Sequence, residues 1–97
     1  MRLENLRDEQ LDELFDAILS LETREECYQF FGDLATVREL KALSQRLEVA
    51  KMLKAGHTYK AIEEKTKSST ATISRVRRSI DYGNNGYKIV LNRVTSS

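Results

Sequence analysis

Apolar residues in the first third of the chain recur at spacings of three and four. Leu11, Leu14, Phe15, Ile18 and Leu21 make one stripe with acidic residues around the rest of the circumference, which predicts an amphipathic helix from about Arg7 to Leu21. Thr23 stands three residues before Glu26, the spacing at which each side chain satisfies a free backbone N–H of a helix start. A second helix is therefore predicted from Arg24 to Leu34, with Cys27, Phe30, Phe31 and Leu34 as its stripe. Thr36 and Glu39 repeat the pair ahead of a long third helix, about Val37 to Ala55. Its seam runs through Leu40, Leu43, Leu47, Ala50 and Lys54, widened by Val37, Val49, Met52 and Leu53. A helix apolar over so much of its girth is expected to be the central helix of the core, covered on several sides. Gly56 stands where a glycine cap ends such a helix.

The second half continues in shorter pieces. Thr58 can cap a short helix reaching about Thr66, with Tyr59 and Ile62 on one side. A polar break, Lys67-Ser68-Ser69, precedes a helix from Thr70 to about Tyr82 whose inward stripe is Ile73, Val76 and Ile80. Gly83-Asn84-Asn85-Gly86 breaks the pattern. Tyr87, Val90, Leu91 and Val94 then mark a last amphipathic helix, and the tail Thr95–Ser97 is expected to fray. The expected fold class is all-α with six helices. One domain spans 1–97: residues 1–55 as dimerisation helices, 56–82 as a helix-turn-helix, and 83–97 as C-terminal helix and tail.

The chain of 97 residues suits one domain. A chain this short buries only about two-thirds of its unfolded surface, so help from a partner chain is expected. There is no proline, which removes a strong helix breaker. The single cysteine, Cys27, excludes an internal disulfide and points to a reducing compartment; beside Phe30 and Phe31 it is expected to be buried. No apolar run approaches the roughly 20 residues of a membrane span, and Met1 to Leu19 holds six acidic residues rather than a leader-like apolar stretch. The expectation is a soluble, cytoplasmic protein without a membrane partner.

Net charge of +1 hides an asymmetry. Residues 1–50 carry 6 basic and 12 acidic side chains, a net of −6; residues 51–97 carry 10 basic and 3 acidic, a net of +7. A basic half fits a polyanion, because lysine and arginine displace counterions from phosphates; it also fits a solvated surface that balances the acidic half.

Residues 56–82 carry the candidate chemistry. A short helix containing the small Ala61 can cross closely over a second helix, bracing it for entry into the roughly 12 Å major groove. Ile73, Val76 and Ile80 would anchor that second helix. Thr70, Ala71 and Ser74 lie near its N-terminal, outward side, where short hydroxyls and a methyl group can meet base edges. Ser68 or Ser69 can cap it, leaving N-terminal amides for a phosphate. Lys60, Lys65, Lys67, Arg77 and Arg78 flank this surface and suit phosphate contacts. The same shape also occurs as a plain folding unit, and a helical body that binds another protein is the alternative to duplex DNA. Tyr59, Tyr82 and Tyr87 fall at core or turn positions, which weakens a single-strand stacking role. One histidine, His57, and no cysteine pair leave metal-ligand spacing absent; with no nucleophile motif or glycine-rich phosphate loop, no enzyme is expected.

The segment Thr36-Val37-Arg38-Glu39-Leu40-Lys41-Ala42-Leu43 through Arg46 resembles the opening of the central helix of the Trp repressor. Ala71-Thr72-Ile73-Ser74-Arg75 resembles the core of its recognition helix, and Tyr82-Gly83-Asn84-Asn85-Gly86-Tyr87 is similar to the YerC/YecD group of Trp-repressor-like proteins. The resemblance covers roughly residues 8–94. It implies a six-helix protomer interlocked with a second copy, presenting two recognition helices to double-stranded DNA as a regulator, with repression as the expected sign. It also implies that Thr36, Arg46, Thr72, Arg75 and Ser79 match the family's tryptophan-contacting positions, with Arg46 and Arg75 able to sandwich an aromatic ring. Val76, however, stands where the family has a glycine against the indole. Its bulk opposes L-tryptophan; another small corepressor is the remaining ligand class, and no cofactor is expected to be required.

Overall fold

A computed structural model describes residues 3–95. Among them are seven helices and no strand: α1 (Leu3–Leu6), α2 (Glu9–Leu19), α3 (Arg24–Leu34), α4 (Val37–Lys54), α5 (Tyr59–Thr66), α6 (Thr70–Tyr82) and α7 (Gly86–Thr95). The six expected helices are all present, preceded by α1, a single turn that the periodicity did not announce. The expected fraying of the tail concerns Ser96 and Ser97, which lie outside the described residues; Thr95 closes α7.

Side-chain caps set most helix starts. Asp8 accepts from the Leu11 N–H at 2.7 Å, so α2 begins at Glu9 rather than Arg7. Ser20 ends it two residues early, its hydroxyl donating to the Ala17 carbonyl at 2.6 Å. Thr23 accepts from the Glu26 N–H at 3.1 Å, while the Glu26 carboxylate reaches back to the Glu22 N–H at 2.8 Å. Thr36 and Glu39 form the fully reciprocal box, with bonds of 2.8 and 3.1 Å. The backbone N–H of Thr36, and after it the Thr36 hydroxyl, hold the Glu39 carboxyl below its ordinary range.

At the other end of α4, Gly56 takes φ +89°. Its N–H bonds the Leu53 carbonyl at 3.1 Å and the His57 N–H bonds that of Met52 at 3.0 Å, the paired bonds of a Schellman stop. Gly83 is fixed by space instead: a Cβ there would stand 2.3 Å from the Ser79 carbonyl oxygen, which accepts the Gly83 N–H.

The chain divides into two compact units, residues 1–40 and 41–97. The division falls within α4 and not at Gly56, where the dimerisation segment was expected to end. The second unit explains this. Val49, Ala50, Met52 and Leu53 of α4 are buried with Ile62 of α5, Ile73 and Val76 of α6 and Leu91 of α7; Ile80 and Tyr87 pack against this cluster. The C-terminal half of α4 thus belongs to the core beneath the helix-turn-helix. Its N-terminal half does not meet the expectation of a helix covered on several sides, since Val37, Leu43 and Leu47 are exposed.

In the first unit, α2 and α3 bury no residue fully. Leu11, Leu14, Ile18, Phe30 and Phe31 are half-buried, with the two phenyl rings edge-on at 5.6 Å. Phe15, Leu34 and Tyr28 are exposed, and Leu19 is 80% exposed. Cys27 is exposed as well, correcting the expectation of a buried thiol: no described residue covers its side of α3. No helix among the described residues is long and apolar enough to cross a membrane.

Gly83→Ala is expected to lower stability by about 1–3 kcal/mol, because the added methyl meets backbone rather than a yielding side chain; thermal melting checks this. The depressed Glu39 carboxyl contributes stability above the ordinary carboxylate range that is lost as pH falls through its lowered value. Melting of the parent chain and Glu39→Gln should therefore differ at neutral pH and converge on acidification.

Candidate nucleic-acid interface

The inner stripe of α6 determines which residues its other side presents. Ile73 is fully buried and Val76 is 1% exposed, both within the core cluster shared with α4, α5 and α7. At about 100° per residue, Ala71, Ser74, Arg75 and Arg78 then fall opposite them, and all four are exposed. Thr70 is exposed at the first turn. On α5 and in the turn before α6, Lys60 and Lys67 are exposed too.

The connection between α5 and α6 is built by side chains. Lys67 caps α5 in the left-handed region at φ 61°, its N–H bonding the Glu63 carbonyl at 2.9 Å. The Thr66 hydroxyl donates to the Ile62 carbonyl at 2.7 Å, accepts from the Ser68 N–H at 3.2 Å and shares a 2.8 Å bond with the Ser68 hydroxyl. Gln45 of α4 donates from its side-chain amide to the Thr66 carbonyl at 2.8 Å, tying the turn to the core. Ser68 is only 6% exposed. Its expected place on the interface is corrected: the side chain is spent inside the turn. Ser69 is the cap, accepting from the Thr72 N–H at 3.1 Å.

Two of the flanking cations are held by acids. Lys65 lies 3.7 Å from Glu48, which also pairs with Lys51 at 3.3 Å, so it is drawn toward α4. Arg77 lies 3.9 Å from Asp81 and borders, with Lys54, Lys88, Ile80 and Ile89, a cleft of about 490 Å³ between α6 and α7. It sits on the flank of α6, beside the inward stripe, and Arg78 holds the outer position. Tyr87 packs against the core as expected, whereas Tyr82 is 85% exposed at the far end of α6 and Tyr59 is also exposed.

One functional candidate escaped the sequence. Glu63 accepts a hydrogen bond from the Thr70 hydroxyl, joining α5 to the first turn of α6. A pair seven residues apart across a break in the helical pattern leaves no periodic signal.

The positions matched to a corepressor are placed as follows. Val76 is 1% exposed and its side chain belongs to the core. The Thr72 hydroxyl is engaged by Ser69 at 3.1 Å. Thr36 belongs to the first unit, where its hydroxyl serves the α4 cap. Arg46 is half-buried and Arg75 and Ser79 are exposed; neither arginine forms an ion pair among the described residues. The clefts of about 490 and 380 Å³ are lined by other residues. His57 is exposed, and no group of three or more metal-ligating side chains gathers among the described residues.

A helix held by one stripe, with short side chains and cations on its open side, defines an all-helical helix-turn-helix protein. The chain belongs to the Trp repressor family, a regulatory DNA-binding family rather than an enzymatic one: the Trp repressor protein model matches residues 9–95. It is 55% identical over 94 residues, 97% of this chain and 90% of the other, to YerC, an uncharacterized protein of Bacillus subtilis. A crystal structure of a proposed Trp repressor from Staphylococcus aureus superimposes with a TM-score of 0.93 at 60% identity, covering 100% of this chain and 97% of that one. A TrpR-like protein of Eubacterium eligens follows at a TM-score of 0.91 and 52% identity, with 95% of each chain covered.

Lys67→Gly separates shape from charge at the turn. Glycine accepts φ 61° without strain, so stability should hold or rise by up to about 1 kcal/mol. Duplex affinity should fall with the lost cation, read by melting and by binding titration.

Proposed function

We propose that this chain is a sequence-specific regulator that binds duplex DNA as a homodimer through α6 and represses by occupying its site. The observation that carries this reading is the exposure of Ala71, Ser74, Arg75 and Arg78 on the side of α6 opposite its buried stripe, with Lys60 and Lys67 exposed on α5 and in the turn before it. Short side chains let a helix backbone approach base edges, while the cations meet phosphates and set register.

Support for a second copy comes from what one chain leaves uncovered. Phe15, Leu19, Tyr28, Leu34 and Val37 are all exposed on α2, α3 and the start of α4. Large apolar surface of this kind marks an association site. Charge adds to this: α2 carries Glu9, Asp12, Glu13 and Asp16 and no cation, whereas Lys54, Arg77 and Lys88 rim the apolar cleft beside α7. The acidic helix of one protomer complements that cleft on its partner. Two recognition helices in a symmetric pair would then meet half-sites about one helical turn apart.

No small corepressor is needed in this reading, because Val76 fills the position an indole requires. The dimer is expected to bind its site equally well with and without L-tryptophan.

Binding to random duplex should weaken on the order of a thousandfold between 50 and 200 mM salt, if Lys60, Lys67 and Arg78 of both protomers contact phosphates. Ser74→Ala should cost roughly 1–3 kcal/mol on the selected site and little on random duplex. Light scattering should give the mass of two chains. A salt-insensitive, negligible duplex affinity in a stable dimer would move the protein to the class of helical interaction modules.

A further inference from the structure

We propose that Glu63 is a specificity-determining residue: with Thr70 it presents an acceptor-only pair that favours a base edge bearing an exocyclic amine, cytosine or adenine, and disfavours unselected duplex. This rests on the DNA-reading proposal above and deepens it.

The Thr70 hydroxyl has one proton, and that proton is given to the Glu63 carboxylate. The hydroxyl oxygen is left able only to accept. The carboxylate is acceptor-only as well, with lone pairs beyond the one Thr70 occupies. In the major groove, guanine offers N7 and O6 acceptors and thymine an O4 acceptor, whereas the donors are the N4 amine of cytosine and the N6 amine of adenine. An acceptor-only pair therefore matches the second set and confronts the first with unpaired, desolvated oxygens. Thr70 is exposed in the first turn of α6, next to Ala71 and one turn before Ser74, so the pair borders the proposed reading surface.

The negative charge is not needed to make the bond. A glutamine side-chain oxygen can accept from Thr70 as well, though more weakly than a carboxylate. Near the C-terminal end of α5, one turn before Thr66, a carboxylate opposes the helix dipole. No ion pair neutralises Glu63 among the described residues, although Lys60 and Lys67 lie close in sequence. A bare carboxylate within the cationic border lowers affinity for any phosphate backbone. That loss falls on all sequences, while the gain from an amine falls only on the right one. The difference between them is specificity.

The experiment uses the full chain, selecting bound sequences from a random duplex pool with the parent, Glu63→Gln and Thr70→Val, and measuring affinity for random duplex at fixed salt. The parent should select a site with a position confined to cytosine or adenine. In E63Q, whose amide also donates, preference at that position should fall about tenfold or more, while random-duplex affinity rises severalfold. T70V should relax the same position without that rise. Thermal midpoints of E63Q near the parent value separate these effects from loss of the turn. A site selected identically by all three chains, with unchanged random-duplex affinity, would make Glu63 a turn clamp and overturn the inference while leaving the DNA-reading proposal intact. A parent chain that selects no sequence would overturn both.

Discussion

Everything about the reading surface depends on the burial of one side of α6. Ile73 and Val76 are buried in one cluster with Val49, Ala50, Met52, Leu53, Ile62 and Leu91. Apolar burial is not directional, but on a helix it fixes rotation: once those residues face inward, the residues half a turn away must face out. The identity of the outward residues then becomes a matter of function rather than folding. They are an alanine, a serine and two arginines, Ala71, Ser74, Arg75 and Arg78. The turn serves the same end. Thr66 and Ser68 satisfy each other inside it, Gln45 ties it to α4, and Ser69 starts α6 in a fixed direction.

The two units divide the physical tasks. The second has a closed core; the first has stripes without a complement. A helix such as α2 leaves Phe15 and Leu19 exposed, apolar surface of the kind that marks an association site. The net charges of the two halves oppose each other as well, −6 over residues 1–50 against +7 over residues 51–97.

Much of this was legible along the chain because it is local. The caps Thr23, Thr36 and Thr58, the stop at Gly56 and the stripe Ile73, Val76 and Ile80 each depend on residues within one or two turns, and α3 and α6 begin and end at the expected residues. The departures have several causes. Cys27 was expected to be buried from its neighbours in sequence and is exposed, because no described residue covers that side of α3; Ser68 was placed on the interface, and its hydroxyl instead bonds Thr66 inside the turn. The division within α4 arises from packing against Ile62 and Ile73, which periodicity cannot see. Glu63 was invisible for the same reason, since its partner lies across the turn.

The central claim is that α6 meets duplex DNA with its outer side while its inner stripe stays anchored. Amide and methyl chemical-shift mapping on addition of a duplex tests it most directly. The account predicts that the largest shifts cluster at residues 67–78, with Ile73 and Val76 methyl groups nearly unmoved. Shifts confined to α2 and α3, with α6 silent, would contradict it.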